Sequence, residues 1–197
     1  MEIIDRIERI KEEFSDDHAV RKNGTLLLGL GRIPNCRHMI FKGLEQKYIN
    51  EYVIAEYRLD FPTEYAEFLR YANGANLMKV KIKSSNGVEF AYNLLSIYGL
   101  PLTPPFGRPL AMEEPYDMRV EDLARHPDIP ECWLKCGSYI RNNDIHKDAD
   151  IFISTEDGRV YACYKNECEI VDEWDCLDEC LCNIFDALST APREYML

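Results

Sequence analysis

The fold class is decided by residues 150–188, which read DIFISTEDGRVYACYKNECEIVDEWDCLDECLCNIFDAL. Two runs rich in β-branched and aromatic residues, 151–155 and 159–164, flank a polar turn that contains Gly158. A third run of this kind, 167–171, follows after another polar turn. Short β-rich runs separated by turn residues are typical of strands joined by hairpins. This stretch therefore predicts a three-stranded antiparallel meander.

The register of the meander depends on the length of its turns. Two-residue turns at 157–158 and 165–166 would place Phe152, Cys163 and Cys168 side by side on one face. Side chains alternate between the two faces of a strand, so neighbouring residues point to the opposite face. The more apolar of the two faces is expected to pack on the helix that follows.

An amphipathic helix is predicted after the meander. Its apolar stripe comprises Trp174, Leu177, Leu181, Ile184, Phe185 and Leu188. Apolar residues at this spacing indicate a helix with one buried face. The stripe predicts that Trp174 is a core residue rather than an exposed binding hot spot.

Three further helices are predicted upstream. The apolar spacing predicts helices over residues 2–14 and 44–57. A third helix is expected to begin at Pro62, because proline lacks the N–H that a first helical turn leaves unpaired. Asn73-Gly74 is expected to end this helix, since both residues tolerate the left-handed conformation of a C-terminal cap.

The remaining upstream segments predict strands and a loop. Residues 25–31 predict a short strand, and alternating runs on either side of Asn86-Gly87 predict a hairpin. The five prolines of residues 101–118 exclude regular structure there and predict a long surface loop.

Together these elements predict one α+β domain with an antiparallel-rich sheet flanked by helices. The domain is expected to span residues 1–197, with its core over 45–188. Residues 1–44 are expected to form a helical extension, and 101–118 a Pro-rich loop.

The distribution of charge limits the classes of partner. The net charge is −12, and residues 1–100 contain equal numbers of basic and acidic side chains, so residues 101–197 carry all of it. Phosphate backbones are bound by basic surfaces, so direct nucleic-acid binding is not predicted. An acidic protein of this kind is suited to a basic protein partner.

The location is predicted from two absences in the sequence. No run approaches the ~20 apolar residues of a membrane span, so no membrane partner is expected. No secretory signal is visible at the N-terminus, so a cytoplasmic location is expected. In that compartment the eight cysteines are expected to remain reduced.

An ordered set of motifs carries a family resemblance. A helix reading FPTEYAEFL over 61–69 comes first, then the hairpin around Asp157-Gly158, then Glu173-Trp174 and an amphipathic helix. Over residues 45–188 this order resembles the SUKH superfamily, which includes fungal cell-wall regulators of the Smi/Knr type and bacterial immunity proteins. The residues that carry the resemblance are Pro62, Tyr65, Phe68, Gly74, Asp157, Gly158 and Trp174.

The resemblance implies a single α+β domain with a non-enzymatic role. Bacterial members of this superfamily are thought to bind and neutralise a toxin, so the chain is expected to be an immunity protein with a cognate toxin. The alternative is a regulatory scaffold with no toxin partner, as the fungal relatives suggest.

The acidic run at residues 167–179 is the candidate partner-binding surface. It contains seven acids and no lysine or arginine: Glu167, Glu169, Asp172, Glu173, Asp175, Asp178 and Glu179. Such a surface can steer a basic protein, such as a nuclease-like toxin domain, by its electric field. The alternative is a solvated face that keeps the protein soluble.

No catalytic, metal or cofactor site is predicted. The cysteine spacings, such as Cys132-x₃-Cys136 and Cys176-x₃-Cys180, do not match a structural zinc motif. The histidines are scattered, and no nucleophile or phosphate-binding motif occurs. A third hypothesis is that the protein is an enzyme that uses His146 or a cysteine, because catalytic groups can assemble from distant positions in the sequence.

Overall fold

A computed structural model describes residues 1–30, 36–52, 61–83, 87, 89–100, 129–141, 147–165 and 169–190. Within these ranges the helices are α1 (Glu2–Glu13), α2 (Gln46–Tyr52), α3 (Thr63–Tyr71) and α4 (Leu177–Ser189). The strands are β1 (His18–Val20), β2 (Leu26–Leu28), β3 (His38–Lys42), β4 (Ala72–Lys83), β5 (Glu89–Ile97), β6 (Trp133–Ile140), β7 (Asp148–Ser154), β8 (Val160–Tyr164) and β9 (Ile170–Trp174).

The strands form a single sheet whose spatial order follows the chain from β1 to β9. Every neighbouring pair is antiparallel. The last three strands form the predicted meander, and α4 follows them. The prediction of an α+β domain with an antiparallel sheet flanked by helices is therefore confirmed.

All four helices share one hydrophobic core with the sheet. The stripe of α4 is buried from Leu177 to Leu188, as predicted, and Phe185 packs against it half-buried. Tyr65 and Phe68 of α3 are fully buried in the same core. Burial of side chains of this size stabilises the fold by about 1.5–3 kcal/mol each.

The first 44 residues differ from the expected helical extension. Only α1 is helical among those that are described, and Ile3 and Ile7 of its buried stripe belong to the main core. Residues 18–42 contribute β1, β2 and β3 to the sheet. Their strands are only three to five residues long, which leaves a weak periodic signal in the sequence.

The prediction that Asn73-Gly74 ends a helix is wrong. The helix α3 runs directly into β4 at Ala72, which is extended, and Gly74 lies inside β4 with φ +91°. The buried Asn73 amide holds the backbone of Leu100 instead: its Oδ1 accepts from Leu100 N at 2.7 Å, and its Nδ2 donates to Leu100 O at 2.8 Å. Pro62 precedes the first helical residue, with φ −57°.

The meander has the predicted faces but a shifted register. Phe152 lies opposite Tyr161, and Cys163 lies opposite Asp150 rather than Phe152. The connection is longer than two residues, because the Ser154 hydroxyl and carbonyl accept hydrogen bonds from the loop backbone, including Gly158 N at 3.0 Å. The displacement between β7 and β8 is two residues, so the side chains of these two strands keep their predicted faces. In β9, Ile170 takes the place beside Cys163 that was predicted for Cys168, and a bulge between Ala162 and Cys163 shifts the register of the rest of the strand.

Other predictions are confirmed within narrower bounds. The strand predicted at 25–31 is β2, the hairpin predicted around Asn86-Gly87 is β4–β5, and the helix predicted at 44–57 is described as α2. The Pro-rich segment 101–118 lies outside the described residues. Among the described residues, none of the helices has the length and apolar character needed to cross a membrane.

Candidate protein-binding surface

The acidic run lies at one edge of the sheet, where β9 passes into α4. Four of its carboxylates are exposed to solvent: Glu169, Glu173, Asp175 and Glu179. We refer to these four residues as the acidic edge. Glu167 lies outside the described residues.

Asp172 points inward and holds three strands together. Its Oδ2 accepts from the Tyr139 hydroxyl at 2.7 Å and from Arg141 Nε at 3.0 Å. Arg141 Nη1 also donates to the Tyr164 hydroxyl at 3.2 Å. Hydrogen bonding to Asp172 raises the pKa of Arg141, and burial is the main cause of the raised pKa of Tyr139. Asp172 is therefore a structural residue of the acidic run.

Asp178 also faces the protein, because it caps another helix. Its two carboxylate oxygens accept from Glu2 N at 2.8 Å and from Ile3 N at 3.0 Å. These N–H groups belong to the first turn of α1, which has no side-chain cap at its own N-cap residue and carries the positive end of the helix dipole. Asp178 therefore joins α4 to α1.

Glu64 of α3 caps the N-terminus of α4. This role could not be predicted from the sequence. Glu64 Oε2 accepts from Leu177 N at 2.8 Å and from Asp178 N at 3.4 Å, at the N-terminus of α4. The residue at the N-cap, Cys176, supplies no side-chain hydrogen bond. Local sequence contains no signal for this cap, since the two partners are 113 residues apart.

One cation, Arg159, contacts the acidic edge among the described residues. Its Nη2 lies 3.4 Å from Asp175 Oδ1 and 3.8 Å from Glu173 Oε1. All three side chains are well exposed, so each pair contributes about 0–1 kcal/mol to stability. A single guanidinium cannot neutralise four carboxylates, so the acidic edge keeps a net negative charge.

An aromatic pair lies beside the acidic edge. Trp133 and Tyr161 stack with ring centroids 4.2 Å apart and an interplanar angle of 8°. Tyr161 lies directly opposite Glu173 in the β8–β9 ladder, so both side chains share one face of the sheet. Both aromatic side chains are half-buried. The sequence gives no sign that Trp133 has a stacking partner, because that contact depends on the register of β6, β7 and β8.

The residues that carry the family resemblance have structural contacts. The Tyr65 hydroxyl donates to the Tyr98 carbonyl at 2.8 Å within the core. Asp157 accepts from Arg159 N at 3.1 Å, and hydrogen bonds to Ser154 and to backbone lower the pKa of its carboxyl. Gly158 has φ +75°, which favours glycine in this turn.

Trp174 is not part of the helix that it was predicted to begin. It is the last residue of β9 and lies opposite Val160, and α4 starts only at Leu177. Its indole is half-buried against the main core. The apparent helical spacing arises because the strand and the helix present their apolar sides to the same core.

The cysteines and histidines form no recognisable reactive site in the described part of the chain. None of the seven cysteines described forms a disulfide, and no group of three or more potential ligands could hold a metal there. Burial raises the pKa of the Cys136 and Cys180 thiols, which disfavours the reactive thiolate. Cys168, His126 and His146 lie outside the described residues.

His38 is a structural histidine. It is buried against the Phe14 ring, and its Nδ1 accepts from Met78 N at 3.3 Å. Burial, helped by the nearby charge of Arg37, lowers its pKa to about 3. The neutral form is therefore built into the fold.

Comparison of the chain with known protein families, with curated proteins and with solved structures finds no match.

Proposed function

We propose that this protein is a non-catalytic protein-binding domain of the immunity type, which binds and neutralises a basic toxin domain through the acidic edge. The observation that carries the proposal is the set of four exposed carboxylates, of which only Glu173 and Asp175 are contacted by an arginine among the described residues. The ordered motifs that resemble the SUKH superfamily support the immunity role.

The charge of the acidic edge favours a basic partner. Glu169, Glu173, Asp175 and Glu179 extend from the start of β9 into the first turn of α4. Complementary fields of this kind raise association rates by ~10–1000-fold at low salt. The field acts over roughly a Debye length, about 8 Å at physiological ionic strength.

The neighbouring aromatic pair is a candidate source of binding energy, whereas the charges mainly raise the association rate. Binding energy at interfaces is concentrated in a few aromatic and arginine residues that are surrounded by polar groups. Trp133 and Tyr161 are already stacked, so little side-chain freedom is lost when a partner covers them. The pair and the acidic edge adjoin, because Tyr161 lies opposite Glu173.

The experiment measures association with the toxin candidate encoded beside the gene for this protein. The test variant Glu169→Gln, Glu173→Gln, Asp175→Asn removes three charges from the acidic edge. The control Glu12→Gln, Glu13→Gln, Asp16→Asn removes the same number of exposed charges near the β1 edge of the sheet.

We expect the test variant to associate at least ~10-fold more slowly and the control to keep the wild-type rate. The wild-type rate should also fall steeply with added salt, and co-expression should restore growth of cells that make the toxin. Equal rates for both variants, without salt dependence, would show that the acidic edge is only a solvated face. Failure to bind any neighbouring gene product would favour the regulatory scaffold.

A further inference from the structure

Arg159 contacts the acidic edge from the hairpin between β7 and β8, where its backbone is held in place. Its N–H donates to Asp157 Oδ1 at 3.1 Å, and its carbonyl accepts from Ser154 N at 2.8 Å. Its side chain extends to the acidic edge, where Nη2 lies 3.4 Å from Asp175 Oδ1 and 3.8 Å from Glu173 Oε1. The guanidinium can therefore move without disturbing the backbone of the hairpin.

The contacts of the Arg159 guanidinium are weak compared with those of another arginine. Arg6 donates from Nε and from Nη2 to the Asp186 carboxylate at 2.9 Å and 2.8 Å, and its side chain is 21% exposed. Arg159 reaches two carboxylates through Nη2 alone, at longer distances, and its side chain is 41% exposed. Strong charge-assisted hydrogen bonds are about 2.7–2.9 Å long. Arg159 is therefore held less firmly than Arg6.

The position of the guanidinium also leaves one donor of Arg159 unsatisfied. Its Nε is buried and has no hydrogen-bond acceptor within the described part of the chain. A buried donor without an acceptor is unfavourable, because it has lost its hydrogen bond to water. Movement of the side chain into solvent would break two long contacts and would hydrate Nε. The guanidinium can therefore leave the acidic edge at a small cost in free energy.

The two carboxylates that hold Arg159 are open to solvent. We refer to Glu173 and Asp175 as the carboxylate pair. Their side chains are 60% and 90% exposed, so a cation of a partner can reach them directly. The Asp175 backbone is anchored, because its N–H donates to Glu179 Oε2 at 3.1 Å. The carboxylate pair is thus in place before a partner binds, and Arg159 shows that one cationic nitrogen can contact both members.

A basic side chain of the partner would meet a carboxylate pair that is already occupied. Two cations about 4 Å apart repel each other, so the incoming residue and Arg159 compete for the same two carboxylates. When a binding site is open for only a fraction of the time, the apparent affinity falls by that fraction. Occupation by Arg159 therefore reduces the affinity of the acidic edge for basic groups.

We propose that Arg159 is an internal competitor, which occupies the carboxylate pair in the free protein and leaves it when a basic side chain of the partner binds there. The identity of the partner rests on the proposed function. The competition itself rests on the contacts of Arg159 and on the exposure of the carboxylate pair.

The competitor favours a partner that makes further contacts. Arg159 opposes every cation that approaches the carboxylate pair, whether or not it belongs to the correct partner. A partner that also covers Trp133 and Tyr161 gains binding energy that Arg159 does not oppose. Specificity is a difference between affinities, and a repulsive element against the wrong partners increases it. Arg159 thus discriminates against proteins that offer positive charge alone.

The first experiment uses an acetylated and amidated hexa-arginine peptide as the probe, at low salt, and follows the Glu173 and Asp175 backbone amide signals by NMR. Arg159→Gln should lower the Kd at these positions about threefold to fivefold, because a surface ion pair keeps the site closed up to about 80% of the time. Lys22→Gln removes the same charge from the exposed turn between β1 and β2. This control should change the Kd by less than about 1.5-fold, because the site lies beyond the screening length.

A double-mutant cycle separates competition from a general effect of charge. The variant Glu173→Gln, Asp175→Asn removes the carboxylate pair, and the residual binding is followed at the Glu179 amide. In this background Arg159→Gln should change the Kd by less than about 1.5-fold, since there is no longer a site to compete for. A gain that persists without the carboxylate pair, or an equal gain from Lys22→Gln, would overturn the internal competitor.

The second experiment repeats the comparison with the toxin candidate. Arg159→Gln should speed its association about threefold to fivefold, and Lys22→Gln should not. If the peptide shows no competition, the inference about Arg159 fails, and the proposed function still stands as long as the amide variant of the acidic edge slows association with the toxin. If the peptide shows competition but no toxin binds, the proposed function fails and the internal competitor stands.

Discussion

The acidic run contains two kinds of carboxylate within a few residues of each other. Asp172 and Asp178 face the protein, where they hold a tyrosine–arginine pair and the first turn of α1. Glu169, Glu173 and Asp175 face solvent. Acids of the same run are therefore structural where a distant element supplies a hydrogen-bond donor, and exposed where none does. Substitutions should separate the two kinds by their effect on stability.

The largest effect is expected for Asp172→Ala. The substitution leaves the Arg141 guanidinium and the buried Tyr139 without their shared acceptor, so the free energy of unfolding should fall by about 2–3 kcal/mol. Asp172→Asn keeps one acceptor and should lose less. Urea denaturation of both variants measures the difference. A loss below about 0.5 kcal/mol for Asp172→Ala would place this residue with the exposed acids.

Mild acid should destabilise the protein through His38, which the fold holds in its neutral form. Its pKa falls from 6.5 to about 3 on folding, because burial favours the neutral ring. The unfolded chain therefore binds the extra proton, so this stability is complete above pH 6.5 and is lost as pH falls toward 3. At pH 5 the loss is about 2 kcal/mol.

The control for this pH dependence is His38→Asn, which offers an acceptor near the Nδ1 position and does not titrate. Unfolding free energies at pH 7 and pH 5 should lie closer together for this variant than for wild type. If both proteins lose the same stability between these pH values, other groups cause the acid sensitivity.

A smaller effect is expected for Asp178→Ala. Removal of a helix cap costs about 1–2 kcal/mol, and here two N–H groups of α1 lose their acceptor. Asp178→Asn should lose about half as much stability as Asp178→Ala, since one acceptor oxygen remains. Thermal denaturation measures both variants, and hydrogen exchange should increase first in α1. Unchanged exchange in α1 would mean that solvent replaces the cap without loss.

The smallest change in stability is expected for the combined amide substitution of Glu169, Glu173 and Asp175. These side chains are exposed, and ion pairs at such positions contribute little, so the free energy of unfolding should change by less than about 0.5 kcal/mol. Because the substitution also relieves repulsion among the carboxylates, the free energy of unfolding can even rise. A loss above about 1.5 kcal/mol would show that the acidic edge is structural, and would remove the basis for assigning it to a partner.

The sequence was sufficient for elements whose signals are local. The stripe of α4 and the strands β7–β9 follow from spacing alone, and so does the hairpin of β4 and β5. The fold class depends on these elements, which is why it could be predicted.

Features made by distant partners could not be predicted. Asn73 was interpreted as a helix stop because its neighbour is glycine, but its amide is used by Leu100, 27 residues away. Glu64 caps a helix whose first residue lies 113 positions further along the chain. The inward orientation of Asp172 depends on Arg141, which follows another strand. The spacing of residues in the sequence gives no sign of these long-range hydrogen bonds.

The junction between α1 and α4 has a consequence for the order of events during folding. Each hairpin of the sheet closes over nearby sequence, whereas the α1 cap is supplied from 176 residues away. Closing so long a loop is entropically unfavourable until the chain between its ends is ordered. A newly made chain therefore keeps the first turn of its first helix uncapped until α4 has left the ribosome. Asp178→Ala should accordingly speed unfolding and leave refolding almost unchanged, whereas Val80→Ala in the β4–β5 hairpin should slow refolding.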